Sequence, residues 1–261
     1  KVIGLGLIEG RSINLSLPIS HLNIPSGESY LMSFNELKKA DKISAETLYY
    51  RGNIELYAQG NPEKALTFFE RTLESIPEFV PALYDTAIAY RNMGDIEKAI
   101  DAYEKTLEIN PHFPEALSNL GAQYFRSGKP QKALEFLQKA VEIFPNFIQA
   151  LSNLGAILNK LEQFEQALPY LKKTVRLNPE FAIAHYNLGN ANFGLHRFQE
   201  ARIAYKKCLK LGLDFVSIHW KLFKIYKDSG QTEDAINELK FILEIDPENA
   251  EAHTELDELN R

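Results

Sequence analysis

Three asparagines, Asn119, Asn153 and Asn187, stand 34 residues apart, each followed by leucine and glycine. A carboxamide both donates and accepts, so a row of them can pair with a peptide backbone whatever its side chains. Lys221, Lys224 and Lys227 recur every three residues, which on a helix places them roughly along one face. Amines so grouped draw acidic groups. His185, His219 and His253 share the 34-residue interval, a pattern open to a metal site or a pH sensor. Equivalent side chains on stacked helices are about 8–10 Å apart, whereas shared ligation needs about 2 Å. The histidines are therefore expected to pack at the core or its edge, with no metal. Cys208, the single cysteine, excludes an internal disulfide and is expected to be a small inert core residue. The run Gly4–Gly10 lacks dinucleotide-loop spacing and precedes no helix. Residues 46–261 contain no nucleophile–base constellation. No catalytic residue, cofactor or metal is expected.

The elements that carry these residues follow from the same interval. Pro77, Pro111, Pro145, Pro179 and Pro247 lie on a 34-residue grid, with Leu213 in the gap, and Ala65, Ala99, Ala133, Ala167, Ala201 and Ala235 lie on it without a gap. An apolar helix pattern at this period is that of a helical-hairpin solenoid. It gives six units, 46–79, 80–113, 114–147, 148–181, 182–215 and 216–249, each a helix A, a turn and a helix B. Gly60, Gly94, Gly128 and Gly230 occupy the turn between them, where φ > 0 is wanted, and Glu162 and His196 replace that glycine in units four and five. Each grid proline ends a helix B, because it cannot donate the next hydrogen bond. Residues 250–261 start a further helix, with Leu256 and Leu259 inward and a polar outer face that suits a cap.

Ahead of the units, Ile3, Leu5 and Leu7, and then Ile13, Leu15 and Leu17, alternate with small or polar residues around Glu9-Gly10-Arg11. Residues 1–26 thus read as a β-like hairpin leader. Residues 27–45 read as a connector, with a short helix over about 34–40 opened by the capping-box spacing of Ser33 and Glu36. Ser44 is expected to cap the first repeat helix. The chain opens on Lys1 rather than Met, which fits a piece of a longer protein.

Of 261 residues, 45% are hydrophobic and 25% charged, which is the range of a folded soluble protein. A formal charge of -6 argues against a general nucleic-acid binder. No apolar run reaches the ~18–20 residues of a membrane span.

Residues 46–249 resemble the tetratricopeptide repeat family: the grid alanines and prolines fit it, as do Gly121, Gly155 and Gly189 at the small eighth position of helix A. Unit one departs, with Gly52 one place early, and unit five carries Asn192 where an apolar residue is expected. The resemblance implies an all-α, right-handed superhelix of six helix-turn-helix repeats, whose helices A line a concave groove that holds an extended peptide. Its sixth position points into that groove and here gives Arg51, Asp85, Asn119, Asn153, Asn187 and Lys221. Other groove positions give Arg91, Arg126, Asn159, Lys160, Asn190, Lys224 and Lys227. The fifth position gives Tyr50, Tyr84, Tyr186 and Trp220, either to grip ligand side chains or to pack on the next helix. Likewise the asparagines either form a ladder along a bound backbone or are simply solvated. The outer helices B are expected to carry the acid, as Glu70, Glu74, Glu104, Glu108, Glu135 and Glu142.

Val2-Ile3-Gly4 and Gly10–Pro18 also resemble the last two strands of trypsin-like serine proteases of the high-temperature-requirement type. That resemblance implies a catalytic domain upstream and an extracytoplasmic location; without it a cytoplasmic one is expected. The function expected is a non-catalytic scaffold that holds an extended, acidic or carboxylate-ended segment of another protein. The alternative is the recruiting C-terminal half of such a protease. Self-association through the end repeats is a further expectation.

Overall fold

In the computed structural model, residues 5–8, 11–14 and 44–260 are described. Strands β1 (Leu5–Ile8) and β2 (Arg11–Asn14) pair antiparallel, with Leu5 opposite Asn14 and Ile8 opposite Arg11. This is the hairpin that the alternation of the leader predicts. The short helix expected over about 34–40 lies outside the described residues. From Ala45 onward the described chain is helical, and it forms two compact units, residues 1–129 and 130–261.

The first unit holds α1 (Ala45–Asn53), α2 (Pro62–Ser75), α3 (Val80–Met93), α4 (Ile96–Ile109) and α5 (Pro114–Arg126). Ser44 caps α1 by accepting from the Thr47 amide at 3.2 Å, and Asn61 and Asp95 cap α2 and α4 in the same way. Proline at the first turn of α2, α3 and α5 sits where its missing N–H costs nothing.

The early glycine of unit one has a structural cause. Gly52 lies against the Phe69 ring, where an added Cβ would stand 2.3 Å from Cε1. Gly155 and Gly189 face Leu171 and Tyr205 in the same way, at 2.4 Å. So Gly52 does the work of the eighth position. Helix α1 accordingly starts one residue early, at Ala45, and the surplus residue before Gly60 is absorbed in a π turn, Ile54–Ala58, closed by the Gln59 amide on the Ile54 carbonyl at 3.0 Å. Counted from Ala45, the slip puts Tyr50 at the sixth position and Arg51 at the seventh.

The second unit holds α6 (Pro130–Ile143), α7 (Ile148–Lys160), α8 (Phe164–Leu177), α9 (Ala182–Gly194), α10 (Phe198–Lys210), α11 (Val216–Asp228), α12 (Thr232–Ile245) and α13 (Ala250–Leu259). Helices α7/α8, α9/α10 and α11/α12 pack as antiparallel hairpins, and α13 closes against α12. In both units the six grid alanines are fully buried, and within each unit the helices B approach their helices A closely. Glu162 and His196 adopt φ of 57° and 56°, taking the left-handed turn that glycine makes in the other repeats. Asn192 is buried and satisfies itself by donating to the Leu188 carbonyl at 2.9 Å.

Candidate functional site

In the first unit the residues expected to face a ligand are largely engaged with one another. Asp85 is 3% exposed, and it accepts from the Tyr49 hydroxyl at 2.8 Å and the Tyr57 hydroxyl at 2.5 Å. It thereby ties α3 to the middle of α1 and to the π turn that follows it. Burial pushes its carboxyl up to about 6, against the two phenol donors, which pull it down. Burial first, and then the Asp85 charge, raise both phenols far above the ordinary tyrosine range. Tyr84 packs on Phe113, with ring centroids 4.8 Å apart, and its hydroxyl accepts from Nδ2 of Asn119 at 2.8 Å. The Asn119 amino group is therefore directed at α3. Arg91 is half-buried and donates to Asn92, and Arg126 is exposed and donates to Gln123. Tyr50 and Tyr57 remain exposed at 43% and 45%, so this helix-A face presents phenol rings beside the exposed Arg126.

The second unit differs in sign. Asn153 is half-buried and accepts from Gln149 at 3.3 Å. Asn187 is nearly buried, and its backbone carbonyl accepts from Nδ2 of Asn159 at 2.7 Å, which links α7 to α9. Asn190 Oδ1 accepts twice, from the Tyr205 hydroxyl at 2.9 Å and from Lys221 Nζ at 2.7 Å. Lys221 also lies over the Phe193 ring, 5.6 Å from its centroid. Burial lowers its ammonium from the usual lysine range, and the charges of Lys160 and Lys224 lower it further. Tyr186, on α9 between them, meets the Ser217 hydroxyl at 3.4 Å. Its burial works to raise the phenol, but the donors Ser217 and Asn190 and the charges of Lys221 and Lys160 outweigh it, and the net shift is downward. Lys160, Lys221 and Lys224 form no ion pair among the described residues. Three helices A thus bring three uncompensated amines and one phenol into a single electropositive neighbourhood.

Lys227 does not belong to it. Its ammonium is ion-paired with Glu255 and lies 3.7 Å from Glu258, both on α13. The three-residue lysine spacing is thus shared between the inner face and the cap contact. The fifth-position aromatics mostly pack: Tyr186 meets Phe215 edge-on at 5.2 Å, and Trp220 meets Phe223 edge-on at 5.7 Å. The partner of both Tyr84 and Tyr186 is a phenylalanine just before the next helix A, a row visible in the sequence as Phe79, Phe113, Phe147, Phe181 and Phe215.

The histidines are satisfied within the fold. His185 and His253 meet the carbonyls of grid prolines Pro179 and Pro247, each at 2.9 Å. His219 has no such proline before it, and it is held instead between two carboxylates, Asp214 at 2.8 Å and Glu238 at 2.6 Å, with its ring stacked on Phe241. Cys208 is buried, its thiol pushed up to about 11 by desolvation. Among the described residues no histidine, cysteine and carboxylate group could hold a metal ion, and no helix is long and apolar enough to cross a membrane.

Tetratricopeptide repeat models match residues 88–128, 113–180 and 154–212. Residues 88–212 belong to the tetratricopeptide repeat family. Solved structures agree in fold. PilF of Pseudomonas aeruginosa superposes with a TM-score of 0.72 at 19% identity, over 82% of this chain and 97% of that one. PilW, a type IV pilus biogenesis factor, gives 0.68 at 22%, over 83% and 100%. YrrB, described as a tetratricopeptide repeat protein with an unusual peptide-binding site, gives 0.59 at 23%, over 72% and 96%. No curated protein matches the sequence. None of the matching repeat models reaches residues 1–22, and the protease resemblance of that stretch is not borne out. The repeats make the chain a protein-interaction scaffold of a family that is in general non-catalytic.

Proposed function

We propose that this scaffold holds an extended segment of another protein along its helix-A faces, and that the segment is acidic or carboxylate-ended where it meets the second unit. One observation carries the reading: Lys160, Lys221 and Lys224 share one neighbourhood with Tyr186, and among the described residues none of the three forms an ion pair. Lys221 is half-buried beside the exposed Lys160 and Lys224, and amines so grouped favour an anionic ligand. Asn153 and Asn187 would meet the backbone of the segment, with Asn119 doing the same in the first unit beside Tyr50, Tyr57 and Tyr84. That a solved relative by fold is described as peptide-binding supports the same use here.

The test is a peptide array probed with the purified chain, comparing Glu-rich with Lys-rich extended sequences of equal length. Selective retention on the Glu-rich set, lost in high salt and in the Lys160→Ala/Lys224→Ala double variant, is the expected result. Equal retention on both sets would overturn it.

A further inference from the structure

The outer helices carry a second charge pattern, unrelated to the inner face. On α2 and α4 the exposed face presents Glu70 and Glu74, then Asp101 and Glu108, with the half-buried Glu104 between them. On α8 and α10 the places equivalent to Glu70 and Glu74 hold Lys172 and Arg176, then Lys206 and Lys210, all exposed. The sign has reversed while the register has stayed fixed. The acid expected on the outer helices B is thus concentrated on α2 and α4 and absent from these places on α8 and α10.

The two faces are also built alike. Helices α2 and α4 both pack on α3, and α8 and α10 both pack on α9. Each face is therefore two outer helices held by one inner helix, with charges one helical turn apart on each. Glu70, Glu74 and Glu108 form no ion pair among the described residues, although the exposed Arg71 and Lys105 stand on the same helices, and neither do Lys172, Arg176, Lys206 and Lys210. Glu104 accepts from the Tyr124 hydroxyl, and Lys206 lies over the Tyr226 ring at 5.4 Å. Ile203, 67% exposed, stands one turn before Lys206 and Lys207 on the basic side, where the equivalent place on α4 holds Asp101.

We propose that the chain associates with further copies of itself, the acidic face of α2 and α4 in one copy docking on the basic face of α8 and α10 in the next. Complementary sign on an equal spacing favours a second copy, which brings carboxylates at the same one-turn interval as the amines. The contact is heterologous, so each added copy leaves one acidic and one basic face open, and the assembly grows or closes as a ring. The attraction is between solvated charges, so it weakens as the screening length shortens to about 10 Å near 0.1 M salt.

Sedimentation velocity at low and high ionic strength tests this on the whole chain. The expected result is concentration-dependent assembly in low salt that reverts to monomer in high salt. Reversing the basic face (Lys172→Glu with Lys206→Glu) abolishes it, and so does reversing the acidic face (Glu70→Lys with Glu108→Lys). Mixing the two variants restores association. All four substitutions are at exposed positions, and an unchanged far-ultraviolet circular dichroism spectrum confirms the fold. A wild-type chain that stays monomeric in low salt, or variants that assemble like the wild type, would overturn the proposal. So would binding of the basic face to anionic phosphatidylserine vesicles with no self-association.

Discussion

Nδ1 of His219 lies 2.6 Å from Oε2 of Glu238 on α12, and Nε2 of the same ring lies 2.8 Å from Oδ1 of Asp214 in the turn before α11. Both ring nitrogens face carboxylate oxygens, which only accept, so the arrangement suits the imidazolium with two protons. Burial opposes the charge, but the two hydrogen bonds prevail and the histidine is raised above its ordinary 6.5. A raised folded value means that the folded chain keeps the proton longer than the unfolded one. The stability contributed is complete below about 6.5 and is lost as pH rises through the folded value. Thermal unfolding of the wild type should therefore shift to lower temperature as pH rises above about 6.5. His219→Gln should flatten that dependence, and an unaltered slope would show that the clamp contributes nothing.

Asp85 works with the opposite chemistry. Its carboxyl is raised from 3.8 to about 6 by burial. Here too the folded chain binds the proton more tightly, so stability is highest at acid pH, falls between about 4 and 6, and is level above that. Asp85→Asn keeps an acceptor for Tyr49 and Tyr57 without the buried charge. It should remove the slope between about pH 4 and 6 and leave stability at pH 7 equal or higher. Asp85→Ala should be clearly destabilising, because it leaves the buried Tyr49 hydroxyl without its acceptor at a cost of about 1–3 kcal/mol. Urea unfolding at pH 4, 6 and 7.5 separates the three proteins.

Close approach of helices A and B is the third measurable feature. An added Cβ at Gly155 would stand 2.4 Å from Leu171 Cγ and Cδ2, inside a fully buried contact. Gly155→Ala is expected to destabilise by about 1–3 kcal/mol through over-packing. Pairing it with Leu171→Ala should recover part of that loss, which a double-mutant cycle in urea would read as a positive coupling.

The repeats were legible because their causes are local. Alanine and proline at one interval, a glycine or its substitute in each turn, and serine before α1 each state a steric or hydrogen-bonding need at that residue. Helix ends, turn positions and the small contacts of Gly155 and Gly189 all follow from them. Gly52 was visible as one place early, but the π turn that accommodates it was not, since nothing in Ile54–Ala58 departs from helix-forming sequence.

Side-chain partnerships were harder to read. Spacing on α11 joins Lys221, Lys224 and Lys227 in one row, yet Lys227 turns to Glu255, which is distant in sequence and set by where α13 docks. Asn119 reads as a free carboxamide until Tyr84 is found beside it. The two carboxylates around His219 come from a turn and from another helix, so no motif announces them. The substitution of Leu213 for the grid proline was the available signal, since it removes the position whose carbonyl His185 and His253 meet.

The proposed anion-seeking character of the helix-A face of the second unit rests on Lys160, Lys221 and Lys224. Titration calorimetry of the full chain with a Glu-rich peptide selected from the array tests it most directly. Lys221→Met keeps the apolar contact with Phe193 while removing the amine. Combined with Lys160→Ala and Lys224→Ala, it is expected to weaken binding at least tenfold and to flatten its salt dependence, while Lys227→Ala leaves affinity unchanged. Unaltered affinity in the triple variant, or an equal loss in Lys227→Ala, would contradict the account.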